Sequence, residues 1–285
     1  MTYRRLALIA GAALMFAAGC SSPSAPGDNQ ADGSPSPSAA AAYEPKVGNC
    51  LNVIGGDIEK VAQDREADKV VACTESHDLQ IAGVGTLGSG IVSVEDVDKA
   101  YLECDKMARK FLGEDWRNGK LEIQVVHDKS ANSSDGPRWW ECDLIPYHAL
   151  GSPASTDQDM SGKIPAKLRY TCQTMTEANN EIVDIHDVAC STAHQAEYAG
   201  AVVMPVGTKY PADEATWKPV HNSCAAVVAA YVGVSKSSSK LYYYGDVMRG
   251  ESDWSKRRDV RCFVYFWPKN MTGSAKGTKG KGVPW

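Results

Sequence analysis

An α+β fold of two repeated, disulfide-bonded domains, each with one helix packed on a mainly antiparallel sheet, is what three observations predict. Eight of the nine cysteines fall into two sets of four: Cys50, Cys73, Cys104 and Cys142, then Cys172, Cys190, Cys224 and Cys262, with the last two members 38 residues apart in both sets. Each second cysteine is followed four residues later by a histidine, His77 or His194, and then by an Ala-Gly pair, Ala82-Gly83 or Ala199-Gly200. Around each set, short alternating apolar runs flank one longer stretch of helical periodicity. Finer matches agree. Phe111 and Gly113 follow Cys104 at the offsets at which Tyr231 and Gly233 follow Cys224, and Arg138 and Arg258 each stand four residues before a final cysteine. Such self-similarity reads as duplication of a unit of about a hundred residues.

The ninth cysteine, Cys20, closes a segment with Arg4 and Arg5, an apolar stretch Leu6–Ala18, and Gly19. These are the parts of a signal peptide over residues 1–19, with a core too short for a committed membrane span. Ala17-Ala18-Gly19-Cys20 resembles a bacterial lipobox, with Ala17 where Leu is commoner. The expectation is acylation at Cys20, anchoring the chain to the extracytoplasmic face of the cell membrane; the plainer reading is secretion with cleavage nearby. Residues 20–42, rich in Ser, Pro and Ala, read as a disordered tether with an r.m.s. reach of roughly 25 Å. Without Arg4 and Arg5, 28 basic residues face 35 acidic ones, a net charge of −7 that does not suggest nucleic acid as a partner.

In domain 1, residues 43–147, strands are expected at Val47–Val53, Val70–Cys73 and Leu79–Val84. Ser93 caps a helix with acidic residues in its first turn, Ala100, Tyr101, Cys104, Met107, Ala108 and Phe111 follow helical spacing, and Gly113 stops it. Leu121–Val126 and Arg138–Ile145 supply two more strands. Residues 148–166 read as a linker. Domain 2, residues 167–269, repeats the order with Leu168–Thr174, Asp187–Cys190, Glu197–Met204, a helix ending near Val232, Leu241–Val247 and Val260–Trp267. Pro219 must lie in that helix's first turn or kink it. Residues 270–285, with Lys276, Lys279 and Lys281, read as a basic flexible tail, with contact to anionic wall polymer or lipid headgroups as the alternative.

Outside the cytoplasm, eight cysteines form a disulfide framework. Four cysteines allow three pairings per domain; the favoured set joins Cys50 to Cys73, Cys104 to Cys142, Cys172 to Cys190 and Cys224 to Cys262. Cys73 with His77, or Cys190 with His194, also has the look of half a zinc site, but no close cysteine pair of the zinc-finger type is present, and no metal or other cofactor is expected. Gly83-Val84-Gly85-Thr86-Leu87-Gly88 fits a dinucleotide fingerprint, yet no parallel βαβ unit with an acidic ribose ligand accompanies it, and a loop role is expected. No GxSxG elbow, no HExxH and no free cysteine beside a histidine points to hydrolysis. The candidate ligand-contacting residues are His77, His194, Trp139, Trp140 and Trp254. Their plainer reading is a ring nitrogen bonded to a backbone carbonyl for the histidines and core packing for the tryptophans, Trp267 included.

Val47-Gly48-Asn49-Cys50-Leu51, Val71 to Asp78, the helical Cys104 and Arg138 to Cys142 resemble the septum-formation domain family of actinobacterial membrane proteins and lipoproteins. Val188 to His194, Cys224 and Trp254 to Cys262 are similar to a second copy, which opens on Tyr170-Thr171-Cys172 rather than Gly-x-Cys. The resemblance implies a part in cell division. With no catalytic set, the expected function is non-enzymatic: a lipoprotein whose tandem modules bind an unidentified envelope protein or wall component. The alternatives are an exported enzyme acting on wall or lipid substrate near His77 or His194, and a structural spacer.

Overall fold

Alternation of apolar residues in the first half resolves, in the computed structural model, into a six-stranded sheet. The structure describes residues 43–284 apart from 55–57, 59, 134, 135, 137, 150, 179, 180, 238–242, 247–249 and 267. The signal segment, Cys20, the tether and Trp267 therefore lie outside the described residues. Strands β1 (Cys50–Asn52), β2 (Ala62–Gln63), β3 (Lys69–Val71), β4 (Leu79–Thr86), β5 (Leu121–Asp128) and β6 (Trp139–Pro146) stand in the order β2-β5-β6-β4-β1-β3. All pairs are antiparallel except β2 with β5. Between β4 and β5 runs α1 (Val94–Leu112), packed on β4, β5 and β6.

The second sheet holds β7 (Cys172–Ala178), β8 (Glu181–Val188), β9 (Ala196–Val203), β10 (Tyr243–Asp246) and β11 (Asp259–Tyr265) in the order β10-β11-β9-β7-β8, antiparallel throughout. Helix α2 (Glu214–Val232) covers β9, β10 and β11, and a single turn, α3 (Glu251–Trp254), precedes β11. The sequence placed the opening strands of this half less well. Leu168 lies in a 3-10 turn, and β7 and β8 form a hairpin from Cys172 to Val188 rather than two shorter strands.

Both long helices follow from their ends. Ser93 and Asp96 form a capping box on α1, Asp213 and Thr216 form one on α2, and the left-handed glycines Gly113 and Gly233 close them. Pro219 lies inside α2, past its first turn. The helices approach the sheets at glycines. A Cβ on Gly83 would stand 2.3 Å from Met107 Sδ, and one on Gly200 3.0 Å from Val227 Cγ1. Gly83 pairs with Cys142 and Gly200 with Cys262, so each helix lies close over its last cysteine. There the bridges Cys104–Cys142 and Cys224–Cys262 tie helix to sheet, while Cys50–Cys73 and Cys172–Cys190 join neighbouring strands. These are the pairs favoured from the sequence. In the chain-entropy view each loop of this size contributes about 3 to 4 kcal/mol.

Two expectations need correction. The linker of residues 148–166 and the flexible tail of 270–285 are not free segments over their described residues. Met160 and Ile164 are buried in the core beneath α1, and Met271, Ala275 and Val283 in the core beneath α2. Their polar, glycine-rich composition hides a few apolar anchors, and the backbone supplies the rest. Gly162 N–H donates to Phe111 O, and Gly277 and Lys279 N–H donate to Tyr231 and Val232 O, so each segment satisfies carbonyls at the end of a helix. We call these segments straps.

Tyr43–Trp285 gathers into one compact unit, in which charge joins the two sheets. Glu122 on β5 is fully buried and forms ion pairs with both Arg257 and Arg261, the latter through Nη2 at 2.9 Å. Arg261 Nη2 also donates to Leu121 O at 2.7 Å, and the Tyr198 hydroxyl donates to Arg117 O at 2.8 Å. Arg117, Arg257 and Arg261 all lie over the ring of the buried Trp116. Burial works against ionisation of Asp259, but the guanidinium groups of Arg257, Arg261 and Arg117 hold its carboxyl below the usual range.

Candidate functional site

The chain turns after β3 and after β8 so that Glu75 N–H meets Ala72 O and Thr192 N–H meets Ala189 O, each at 2.8 Å. That turn carries the histidine inward. His77 exchanges backbone hydrogen bonds with Thr156 of the first strap, and His194 does so with Met271 of the second. Both imidazoles are fully buried, and each Nδ1 donates to a carbonyl two residues back, Glu75 O or Thr192 O, at 2.8 Å. With Nδ1 committed as a donor, Nε2 faces the interior. His194 Nε2 lies 3.0 Å from Glu197 Oε1; His77 Nε2 has no hydrogen-bond partner among the described residues.

The residue three places after each histidine, Gln80 or Glu197, fastens the strap. Gln80 Oε1 accepts Met160 N–H at 2.7 Å and its Nε2 donates to Asp159 Oδ1 at 2.8 Å. Glu197 Oε1 accepts Ala275 N–H at 2.8 Å, and Oε2 accepts the hydroxyls of Ser274 and Tyr231, each at 2.9 Å. Burial, and with it the Glu197 carboxylate, pushes the Tyr231 phenol up to about 12, which keeps it a donor. Cys172, His194 and Glu197 bring possible metal-ligating atoms within 4.8 Å of one another. The sulfur is bonded to Cys190, however, and the carboxylate is filled by protein donors. The cluster is a latch rather than a metal centre.

Of the candidate contact residues, only Trp139 keeps part of its surface, and its ring meets Tyr43 edge-on at 5.5 Å. Core packing, the plainer reading of the tryptophans, describes Trp140 and Trp254. Trp140 is 5% exposed and lies across Gly85, where a Cβ would stand 2.2 Å from Cε2. Trp254 is equally buried and donates from Nε1 to Thr208 O at 2.7 Å. The glycines of the dinucleotide-like motif thus admit Met107 and Trp140, and their strand is antiparallel to β6. Arg138 and Arg258 act alike on the loop before each helix: Arg138 donates to Gly88 O, and Arg258 Nε to Met204 O at 3.1 Å.

The sequence reading missed the charge beneath the first sheet. Arg65 is fully buried and binds Glu141 Oε1 at 2.7 Å, Asp143 Oδ2 at 2.6 Å and Asp68 Oδ2 at 3.0 Å, while the Tyr43 hydroxyl donates to Glu141 Oε2 at 2.8 Å. One guanidinium cannot neutralise three carboxylates. Burial, then repulsion from Glu141, pushes Asp143 well above the ordinary aspartate range despite Arg65. The available signal was Glu141 and Asp143 alternating with Cys142 and Leu144, which marks a polar side of β6 opposite the helix. The described surface includes a hollow of about 360 Å³ lined by Val53, Asp78, His148 and Ser155 among others, and another of about 460 Å³ beside Val206 and Pro219. None of the five candidate contact residues lines either.

Among the described residues no helix is long and apolar enough to cross a membrane. No curated protein and no solved structure matches the chain. One family model does match, over residues 93–262, running from the N-cap of α1 through β5 and β6 and across the second sheet to the last cysteine. The chain belongs to the septum formation family.

Proposed function

We propose that this protein is a non-catalytic envelope lipoprotein acting in septum or cell-envelope formation, exported and anchored through an acylated Cys20, with two duplicated modules that bind an envelope partner. The observation that carries this reading is family membership over residues 93–262. The lipobox-like Ala17-Ala18-Gly19-Cys20 supports the anchor, and the four disulfides suit an oxidising compartment. Duplication is supported by the matching strand orders, the paired bridges and the two latches, Gln80 on Met160 and Glu197 on Ala275. On this reading each module includes its strap, so the first runs from residue 43 to about 166 and the second from about 167 onward. Full burial of His77 and His194 speaks against turnover through either imidazole.

Depletion of the protein in its native host, with septa followed by microscopy, tests the role. Displaced or missing septa, restored by the wild-type chain, are expected. Normal septa and normal envelope permeability after complete depletion would refute it. Capture of partners by crosslinking on intact cells separates a binding module from a spacer, which would give no specific adduct.

A further inference from the structure

The second strap concentrates positive charge on an acidic chain. Asn270–Pro284 contains Lys276, Lys279 and Lys281 and no carboxylate residue, against a net charge of −5 for the whole chain. All three lysines are exposed, and no ion pair holds any of them among the described residues. Their backbone is nonetheless fixed. Ala275 N–H is held by Glu197, Gly277 and Lys279 N–H by the end of α2, and Lys281 N–H by Thr278 O at 3.1 Å. Gly277, Lys279, Gly280 and Gly282 have positive φ, and Lys279, at 56°, is the one non-glycine residue with such a value among those described. A lysine thus stands where glycine would be easier.

Latching does not require these lysines. The first strap makes the corresponding bond through Met160 and carries Asp157 and Asp159 beside a single lysine, Lys163. Lys279 packs against the C-cap glycine Gly233, which suits the negative end of α2, but the described contacts give Lys276 and Lys281 no such task. The charge is left facing solvent on a pre-ordered backbone, so little backbone order must be gained when an anion meets it.

We propose that residues 276–281 form a docking surface for an anionic lipid bilayer. The inference deepens the anchored reading of the protein. A lipid at Cys20 and a tether reaching roughly 25 Å would keep the folded unit near headgroups, and acyl chains plus a basic patch supply the two signals of firm membrane attachment.

The test uses the chain from residue 20 onward with Cys20→Ala, so that neither an acyl group nor the apolar Leu6–Ala18 stretch contributes, in flotation with phosphatidylcholine vesicles with and without phosphatidylglycerol. Binding to the anionic vesicles is expected to exceed binding to neutral ones and to weaken as salt rises. The triple variant Lys276→Gln, Lys279→Gln, Lys281→Gln is expected to lose about 100-fold, at about fivefold per lysine. Its circular dichroism should be unchanged, and Lys163→Gln in the first strap together with Lys167→Gln just after it should bind as the parent does. Equal binding to both vesicle types, or a triple variant that binds like the parent, overturns the proposal. So does parent chain that binds poly(glycerol phosphate) but not the anionic vesicles. Acyl labelling of the wild-type chain tests Cys20 separately, so failure of the anchor and failure of the docking surface are distinguishable.

Discussion

At the scale of single residues, close approach and buried charge account for side chains that otherwise look like site chemistry. Gly83 admits Met107, and Gly88, five residues on, faces open space. Gly83→Ala is therefore expected to cost about 1 to 3 kcal/mol by overpacking, and Gly88→Ala to stay within about 0.5 kcal/mol; urea unfolding midpoints measure both. Asp143 makes a pH prediction. Its folded-state pKa is raised above the unfolded value of about 3.9, so the folded chain holds the proton more tightly. Its contribution is complete below the unfolded value and is lost as pH rises through the raised one. Asp143→Asn, which mimics the neutral carboxyl, is expected to flatten that component, so that the stability difference between variant and parent grows in the variant's favour from about pH 4 upward. A difference independent of pH would show that Asp143 ionises normally.

At the scale of elements, the strap and its latch matter most. Glu197 gathers His194, Tyr231, Ser274 and Ala275, whereas Gln80 does the comparable work with a neutral amide. Glu197→Ala is expected to cost about 3 kcal/mol or more, because it leaves buried donors unpaired, and to raise amide exchange over residues 271–283. Glu197→Gln should cost less, since an amide keeps the acceptor for Ala275. If both substitutions free the strap equally, the carboxylate is not its fastening. The helices were legible in advance from Ser93, Gly113 and Gly233, because caps are local. The straps were not. Their anchors, Met160 and Ala275, are single apolar residues in polar runs, and what they pack against lies far away in sequence.

At the scale of the whole molecule, four covalent ties and one buried ionic junction should dominate stability. Cys224→Ser with Cys262→Ser is expected to lower stability by about 3 to 4 kcal/mol. Glu122→Ala, which strands Arg257 and Arg261 in the interior, should cost about 3 to 5 kcal/mol. Glu122 lies on β5 and both arginines in the second half, so the loss should appear as one cooperative shift of the whole unfolding transition. Unfolding of one half at an unchanged midpoint would mean that the halves are independent, against the single compact unit of Tyr43–Trp285.

The sequence by itself determined the α+β class, the two cysteine sets, most strand positions, both ends of the first helix and the C-terminal end of the second, because periodicity, caps and spacing are properties of neighbouring residues. Its candidate contact residues were placed by chemical type alone, and type does not report which side of a strand meets a helix. Only the tertiary structure decided that His77, His194, Trp140 and Trp254 are interior, and that the supposed linker and tail close over the two histidines. The same holds for Arg261 spanning to Glu122, 139 positions away along the chain. Such contacts are set by the packing of whole sheets, where burial forces each charge and each backbone group to find a partner irrespective of its distance in sequence.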